Sequence, residues 1–205
     1  MGSRFRIERV DNRRSQRSGP LLSEHCEANV WVVGDDRDVV IVDAGGRAVD
    51  IAGVVGDRCV TAVICTQGRR AHVSAAVEVG IGLCAPILLH PGDHDLWQAV
   101  HGQRQYWRLD DGQRIAVAGD EIRVLHTPSV TAGSVALHLA RRGVVFTGDA
   151  LRHGCEPPGH FPAPAPALEP LSGLPADTRV HPGHGDCFVL GEAFSSTDRR
   201  VSRNA

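Results

Sequence analysis

Residues 61–72, TAVICTQGRRAH, contain the stretch that decides the fold. Their first six residues form an apolar run rich in β-branched side chains, which predicts a buried strand. The following residues, TQGRRAH (66–72), lead into an alanine- and valine-rich segment at 71–80 that predicts a helix. Because a turn between a strand and a helix often carries functional side chains, its two arginines and one histidine indicate a candidate site.

The composition predicts one globular domain without a strong electrostatic field. A chain of 205 residues is long enough to bury a substantial core. Its net charge of −2 is not typical of a protein that binds nucleic acid or a membrane surface. All 22 basic residues are arginine, which excludes Schiff-base lysine chemistry and a P-loop lysine. The lysine-free composition is typical of a GC-rich bacterial genome.

The expected location is the cytoplasm. No apolar stretch approaches the roughly 20 residues of a membrane span, and the N-terminus lacks an apolar signal segment. The six cysteines show no CxxC pair or zinc-module spacing, so we expect them mostly as small buried residues. The expected partner is a small-molecule substrate, with no nucleic acid and no membrane, and a homodimer is left open.

The chain is expected to divide into three parts. Residues 1–20 are predicted to be a flexible arginine-rich segment that includes a first strand, residues 21–195 a single domain, and residues 196–205 a polar tail. The proline-rich stretch at 156–170 is predicted to be a loop without regular structure. Two strand-rich parts with interspersed helices indicate an α/β fold, in which two mixed β-sheets pack together and are flanked by helices.

Five motifs follow one another in a recognisable order, and they lie at the ends of predicted strands. They are IVDAG (41–45), TQGRRAH (66–72), TPSVTAGS (127–134), FTGD (146–149) and PGHG (182–185). This ordered set resembles the metallo-β-lactamase superfamily, and within it the glyoxalase II-like branch of small hydrolases. The resemblance spans about residues 29–190 and implies the αββα sandwich of that family.

The resemblance also implies which residues stand at the family's metal-ligand positions. In the second motif the family has Thr-His-x-His-x-Asp-His, whereas this sequence has Gln67, Arg69 and Ala71 at the first three ligands and keeps only His72. In the third motif, Val130 replaces a ligand histidine. The bridging aspartate and the last histidine of the family correspond to Asp149 and His184, which are both present.

These losses imply that the dinuclear zinc site of the family is gone. One metal position keeps only Asp149, whereas the other keeps His72, Asp149 and His184. We expect a metal-free site, because the positive charge of Arg69 at a ligand position disfavours a cation and can pair with Asp149 instead. The alternative is one zinc or iron ion held by the two histidines and the aspartate.

The expected site residues follow from this comparison. His72, Asp149, His184 and Arg69 are the candidate catalytic residues, with Asp43 as a structural brace. The candidate substrate-binding residues are Gln67, Arg70, His153 and His160. Of these, Arg70 is expected at the rim of the cleft or in solvent, and the last two lie in the proline-rich loop.

Three functions remain open from the sequence. The preferred one is an atypical enzyme of this fold without metal, in which Arg69 binds an anionic or carbonyl group and the histidines move protons. That chemistry suits a lyase, isomerase, cyclisation or ester/thioester hydrolysis reaction, in bacterial specialised metabolism. The second is a hydrolase with one metal ion. The third is a non-catalytic descendant that binds a ligand or a partner protein.

Overall fold

Two β-sheets of six strands each form the centre of the computed structural model, which describes residues 4–11, 27–151 and 165–193. The first sheet has the strand order β1 to β6, with antiparallel pairs at β1–β2–β3 and parallel pairs at β3–β4–β5–β6. Its strands are β1 (Arg6–Arg9), β2 (Trp31–Gly34), β3 (Asp38–Val42), β4 (Cys59–Ile64), β5 (Ile87–Leu89) and β6 (Trp107–Arg108).

The second sheet is mostly antiparallel. Its strands are β7 (Arg114–Val117), β8 (Asp120–His126), β9 (Val135–Leu139), β10 (Val144–Gly148), β11 (Arg179–Pro182) and β12 (Phe188–Val189). They lie in the order β12-β11-β10-β9-β8-β7, and only β10 and β11 pair in parallel. Both sheets are therefore mixed, as the sequence predicts.

Helices cover the outer faces of the two sheets. They are α1 (Ala48–Val55), α2 (Arg70–Val73), α3 (Ala76–Gly82), α4 (His94–His101) and α5 (Ala165–Ser172). Ile51 of α1, Val79 of α3 and Trp97 of α4 pack with the first sheet in one apolar cluster. Leu168 and Leu171 of α5 pack on the second sheet in another. None of the helices in the described parts is long and apolar enough to cross a membrane.

The apolar runs of the sequence arise because central strands are buried on both faces. In β3, Val39 and Ile41 face the helices of the first sheet, while Val40 and Val42 face the second sheet. Phe146 of β10 fills the layer between the sheets. This layered arrangement confirms the predicted αββα sandwich.

Two expectations about secondary structure were wrong. The helix predicted at 71–80 is two helices, α2 and α3, separated at Ser74 and Ala75. The loop predicted at 156–170 overlaps α5, which contains Pro170. Burial of Leu168 and Leu171 stabilises this helix against the loss of one backbone donor at the proline.

Part of the predicted division of the chain lies outside the described residues. β1 falls where the first strand was expected, within the arginine-rich segment. Residues 12–26 and 194–205, which include both predicted boundaries of the domain, lie outside the described residues, as do residues 152–164, which include the first part of the proline-rich stretch.

Candidate active site

The ends of four strands bring the candidate residues together. Asp43 follows β3, Thr66 follows β4, Asp149 follows β10 directly, and His184 lies two residues beyond β11. Parallel strands end at the same edge of a sheet, so the loops after them converge. The pairs β3–β4 and β10–β11 are both parallel, which brings the loops of each pair together, and the contact of His72 with Asp149 joins the two sheets there.

His72 is fully buried between two carboxylates. Its Nδ1 lies 2.8 Å from Oδ2 of Asp43, and its Nε2 lies 3.1 Å from Oδ2 of Asp149. Burial lowers the pKa of the His72 imidazole, but the charges of Asp43 and Asp149 outweigh it and raise this pKa to about 10. With no cation beside it, the ring is therefore an imidazolium at neutral pH.

Asp149 joins the two retained histidines. Its Oδ1 lies 2.6 Å from Nδ1 of His184, while its Oδ2 contacts His72. Burial raises the pKa of the Asp149 carboxyl, but His72 and His184 outweigh this effect and hold the pKa well below its usual range. The carboxylate is therefore charged throughout the neutral range and available as a ligand.

Asp43 braces the site, as expected. Its Oδ1 accepts hydrogen bonds from the backbone N–H (2.8 Å) and the hydroxyl (3.0 Å) of Thr66, while its Oδ2 faces His72. The residue itself has a left-handed backbone with φ 59°. A non-glycine residue in this region is uncommon and indicates local strain that the surrounding contacts hold in place.

The three retained residues form a cluster that fits one metal ion. Ligand atoms of His72, Asp149 and His184 all lie within 4.8 Å of one another. Two imidazoles and one carboxylate are a donor set that zinc and non-haem iron both accept, with positions left for substrate or water. The contact from Asp43 to Nδ1 of His72 fixes the ring so that Nε2 faces the cluster, as a second-shell partner does in metal sites.

The expected ion pair between Arg69 and Asp149 is not formed. The Arg69 side chain is exposed, and its guanidinium donates a hydrogen bond of 3.4 Å to the backbone carbonyl of Val130. No described carboxylate lies within 4.0 Å of it, so Arg69 does not replace a metal charge at Asp149. The physical reason is that the long arginine side chain reaches out of the turn toward the third motif instead of into the cluster.

Gln67, expected to contact substrate, lies in the centre of the site instead. Its side chain is buried, and its Nε2 lies 2.8 Å from Oδ2 of Asp149 and 2.5 Å from Nε2 of His72. An amide nitrogen only donates, so it competes with a protonated His72 for the same carboxylate oxygen. The contact to His72 becomes favourable when the ring is neutral with its proton on Nδ1, which is the form that binds a metal.

The remaining predicted site residues lie away from the cluster or outside the described residues. Arg70 is exposed at the start of α2, close enough to His101 to lower the pKa of that imidazole after the larger effect of burial. It therefore lies at the surface, as the sequence suggests. His153 and His160 lie outside the described residues.

Asp93 is a supporting residue that the sequence did not reveal. It is buried and accepts hydrogen bonds of 2.7 Å from the backbone of Gly68 and Gly133 and from the hydroxyl of Thr131. These contacts fix the second motif to the third. The available signal was the Pro91-Gly-Asp93 turn directly after a predicted strand, a typical place for an aspartate that accepts backbone hydrogen bonds.

Gly183 has to be a glycine because the site leaves no space for a side chain. A Cβ built there would lie 2.7 Å from Cε1 of His72 and 2.9 Å from Oδ1 of Asp149. The turn that carries His184 can therefore approach the cluster only through this glycine.

Comparison with known proteins agrees with this architecture. The sequence profile of the metallo-beta-lactamase superfamily matches residues 71–186. An uncharacterized protein of Aquifex aeolicus is 28% identical over 186 residues, covering 80% of this chain and 87% of its own. A hydroxyacylglutathione hydrolase of Aeromonas salmonicida is 30% identical over 167 residues, which cover 76% of this chain but 60% of the relative.

A solved structure adds a close spatial match. The crystal structure of TTHA1623 in a di-iron-bound form superposes with a TM-score of 0.68 and 27% identity, covering 85% of this chain and 93% of that one. The profile match covers more than half of the chain and includes His72, Asp149 and His184. The chain therefore belongs to the metallo-beta-lactamase superfamily.

Proposed function

We propose that this protein is a hydrolase that holds one zinc or iron ion between His72, Asp149 and His184 and cleaves a small ester or thioester. The observation that carries this proposal is the convergence of three ligand atoms within 4.8 Å of one another. Asp43 supports it further, because it holds His72 with Nε2 toward the cluster. An ion bound there would supply Lewis acidity and lower the pKa of a water molecule.

The residues of the chain would orient the metal ligands and bind the substrate. Asp43 orients His72, and Asp149 holds His184 through a contact of 2.6 Å. Arg69 is an exposed cation at the rim without a described carboxylate partner, so it is suited to an anionic part of the substrate. The relative named hydroxyacylglutathione hydrolase supports a thioester as the substrate class, although this chain spans only 60% of its length.

A second candidate is acid/base chemistry without metal, and the contacts of His184 favour it. Its imidazole is 19% exposed, and Asp149 orients it through Nδ1. His72 is fully buried and strongly basic, so it is a poor proton-transfer group, whereas His184 can reach a substrate. A lyase, isomerase, cyclisation or ester/thioester hydrolysis reaction would then depend on the Asp149–His184 pair.

The test is to follow hydrolysis of S-acyl thioesters and aryl esters with protein purified without chelator. We expect turnover that a chelator abolishes and that zinc or iron restores, and none in Asp149→Asn. Asp50→Asn, which changes an aspartate at the surface of α1, serves as the matched control and should stay active. Activity that persists after chelation but disappears in His184→Ala would support the metal-free candidate and reject the metal hydrolase.

A further inference from the structure

Gln67 stands at the position of a family metal ligand, yet its contacts are those of a competitor for the metal. The side chain is 1% exposed and its carboxamide lies between the two ligand residues His72 and Asp149. The amide nitrogen donates to Oδ2 of Asp149 and lies close to Nε2 of His72. Both atoms are among those that a metal ion in this cluster would need.

The amide oxygen of Gln67 is the second observation. Oε1 is buried and makes no hydrogen bond within the described structure. Rotating the carboxamide by half a turn would put this oxygen beside the charged carboxylate of Asp149, which also only accepts. A buried acceptor without a partner is costly, so the side chain is held in place by the donor end alone.

We propose that Gln67 is an internal competitor that weakens metal binding at His72, Asp149 and His184, by donating an amide hydrogen to Oδ2 of Asp149, a ligand atom that a metal ion would bind. This inference rests on the proposed single-metal site. A neutral amide stabilises the charged Asp149 in the metal-free protein, so an incoming ion has to displace this hydrogen bond first. The same amide also occupies the space of one lost ligand, which keeps the site at a single ion.

The consequence is that removing the amide should affect stability and metal affinity in opposite directions. Without the donor, Asp149 loses a hydrogen-bond partner in the metal-free protein, so the melting temperature should fall. The metal ion then no longer competes with that donor, so its affinity should rise. A residue with a purely structural role would lower both quantities together.

The experiment is a Co²⁺ titration of metal-free protein, read by the visible absorption of the bound ion and by competition with a chromophoric chelator. Gln67→Met keeps the length of the side chain and removes the donor, and Gln67→Ala removes both. The control is Gln105→Ala, which truncates an exposed glutamine far along the chain from the site. Thermal unfolding of each metal-free variant provides the second readout.

We expect wild type to bind one equivalent, and both Gln67 variants to bind one equivalent about tenfold more tightly, equivalent to about 1.4 kcal/mol. Gln105→Ala should match wild type. Unchanged or weaker binding in both Gln67 variants, with wild type still binding one equivalent, would overturn this inference and leave the proposed metal site intact.

The remaining outcomes separate the two proposals. If wild type binds no Co²⁺ while Gln67→Met or Gln67→Ala binds one equivalent, the competitor role is supported in its strongest form and the proposed metal hydrolase is rejected. If neither wild type nor either variant binds Co²⁺, both proposals are rejected together.

Discussion

The residues that correspond to the two metal positions of the family differ in how much of the family pattern they keep. One half keeps His72, Asp149 and His184, with ligand atoms within 4.8 Å of one another and Asp43 in contact behind them. The other half has Gln67, Arg69 and Val130 where the family has histidines. The comparison shows that one position keeps three of its four family residues, with Ala71 in place of the aspartate, whereas the other keeps only Asp149.

The altered half has acquired contacts of its own. Gln67 donates to Asp149, and Arg69 donates to the carbonyl of Val130, so two of the replaced positions now contact each other across the turn and the third motif. These contacts tie the altered half to the retained half through Asp149.

The largest expected effect is on the free energy of unfolding when the contacts of Asp43 with Thr66 and His72 are removed. Asp43→Ala removes the carboxylate that accepts from Thr66 and faces the buried ring of His72. Breaking a buried pair of this kind costs about 3–5 kcal/mol, so the free energy of unfolding should fall by that amount in urea denaturation. Asp50→Ala at the surface is the control and should change it by less than about 0.5 kcal/mol. A loss below about 1 kcal/mol for Asp43→Ala would show that the brace is not structural.

A smaller effect is expected on the pH dependence of stability in protein treated with a chelator. The folded-state pKa of His72 is raised from 6.5 to about 10, so the unfolded chain loses its proton first as pH rises. The stabilisation from His72 is therefore complete below pH 6.5 and disappears as the pH passes from 6.5 to 10, on the order of a few kcal/mol. Urea denaturation at the two ends of this range measures it.

Asp149→Asn provides the matched comparison for the pH prediction. Because this variant removes one of the two carboxylates that raise the pKa of His72, its loss of stability with rising pH should be smaller than in wild type. The other titrating groups are common to both proteins, so the difference between the two curves isolates the cluster. Parallel curves for wild type and variant would contradict the assignment of His72 as a buried imidazolium.

The smallest effect is expected on substrate binding when Arg69 is replaced. Arg69→Gln should raise KM for an anionic thioester by about tenfold and change kcat by less than about twofold, because the guanidinium contacts substrate without taking part in chemistry. Steady-state kinetics with an anionic and a neutral substrate of equal size measure this. Arg70→Gln, which changes the neighbouring exposed arginine, should leave both constants unchanged. An equal rise in KM for the neutral substrate would refute the anion contact.

The sandwich fold could be predicted because its strands follow simple rules. Residues 39–42 are apolar throughout since both faces of β3 are buried, and the five ordered motifs lie at the ends of β3, β4, β8, β10 and β11. α5 could not be predicted, because its stability comes from burial of Leu168 and Leu171 and not from local preference around Pro170. Tertiary packing outweighed a proline that locally disfavours a helix.

The site was predictable where position in the motif determines the contact. Short ligand side chains at His72 and Asp149 can reach only the cluster, so their register fixed their place. The predicted contact of Arg69 with Asp149 was wrong, because a long side chain can turn away from the ligand position that its place in the motif indicates. Gln67 contacts Asp149 instead. The turn at Asp93 has a local signal, but its partners Gly68, Thr131 and Gly133 are distant in sequence, so its supporting role could not be predicted.

The central claim is that this protein binds one metal ion at His72, Asp149 and His184. At the second metal position of the family, Gln67 and Arg69 form hydrogen bonds instead of binding a metal ion. The most direct test is a crystal structure of zinc-soaked protein with anomalous diffraction recorded above and below the zinc absorption edge. The account predicts one anomalous peak between His72, Asp149 and His184, and none beside Gln67, Arg69 and Val130. Two peaks, or a cluster that stays without zinc while Arg69 contacts Asp149, would contradict it.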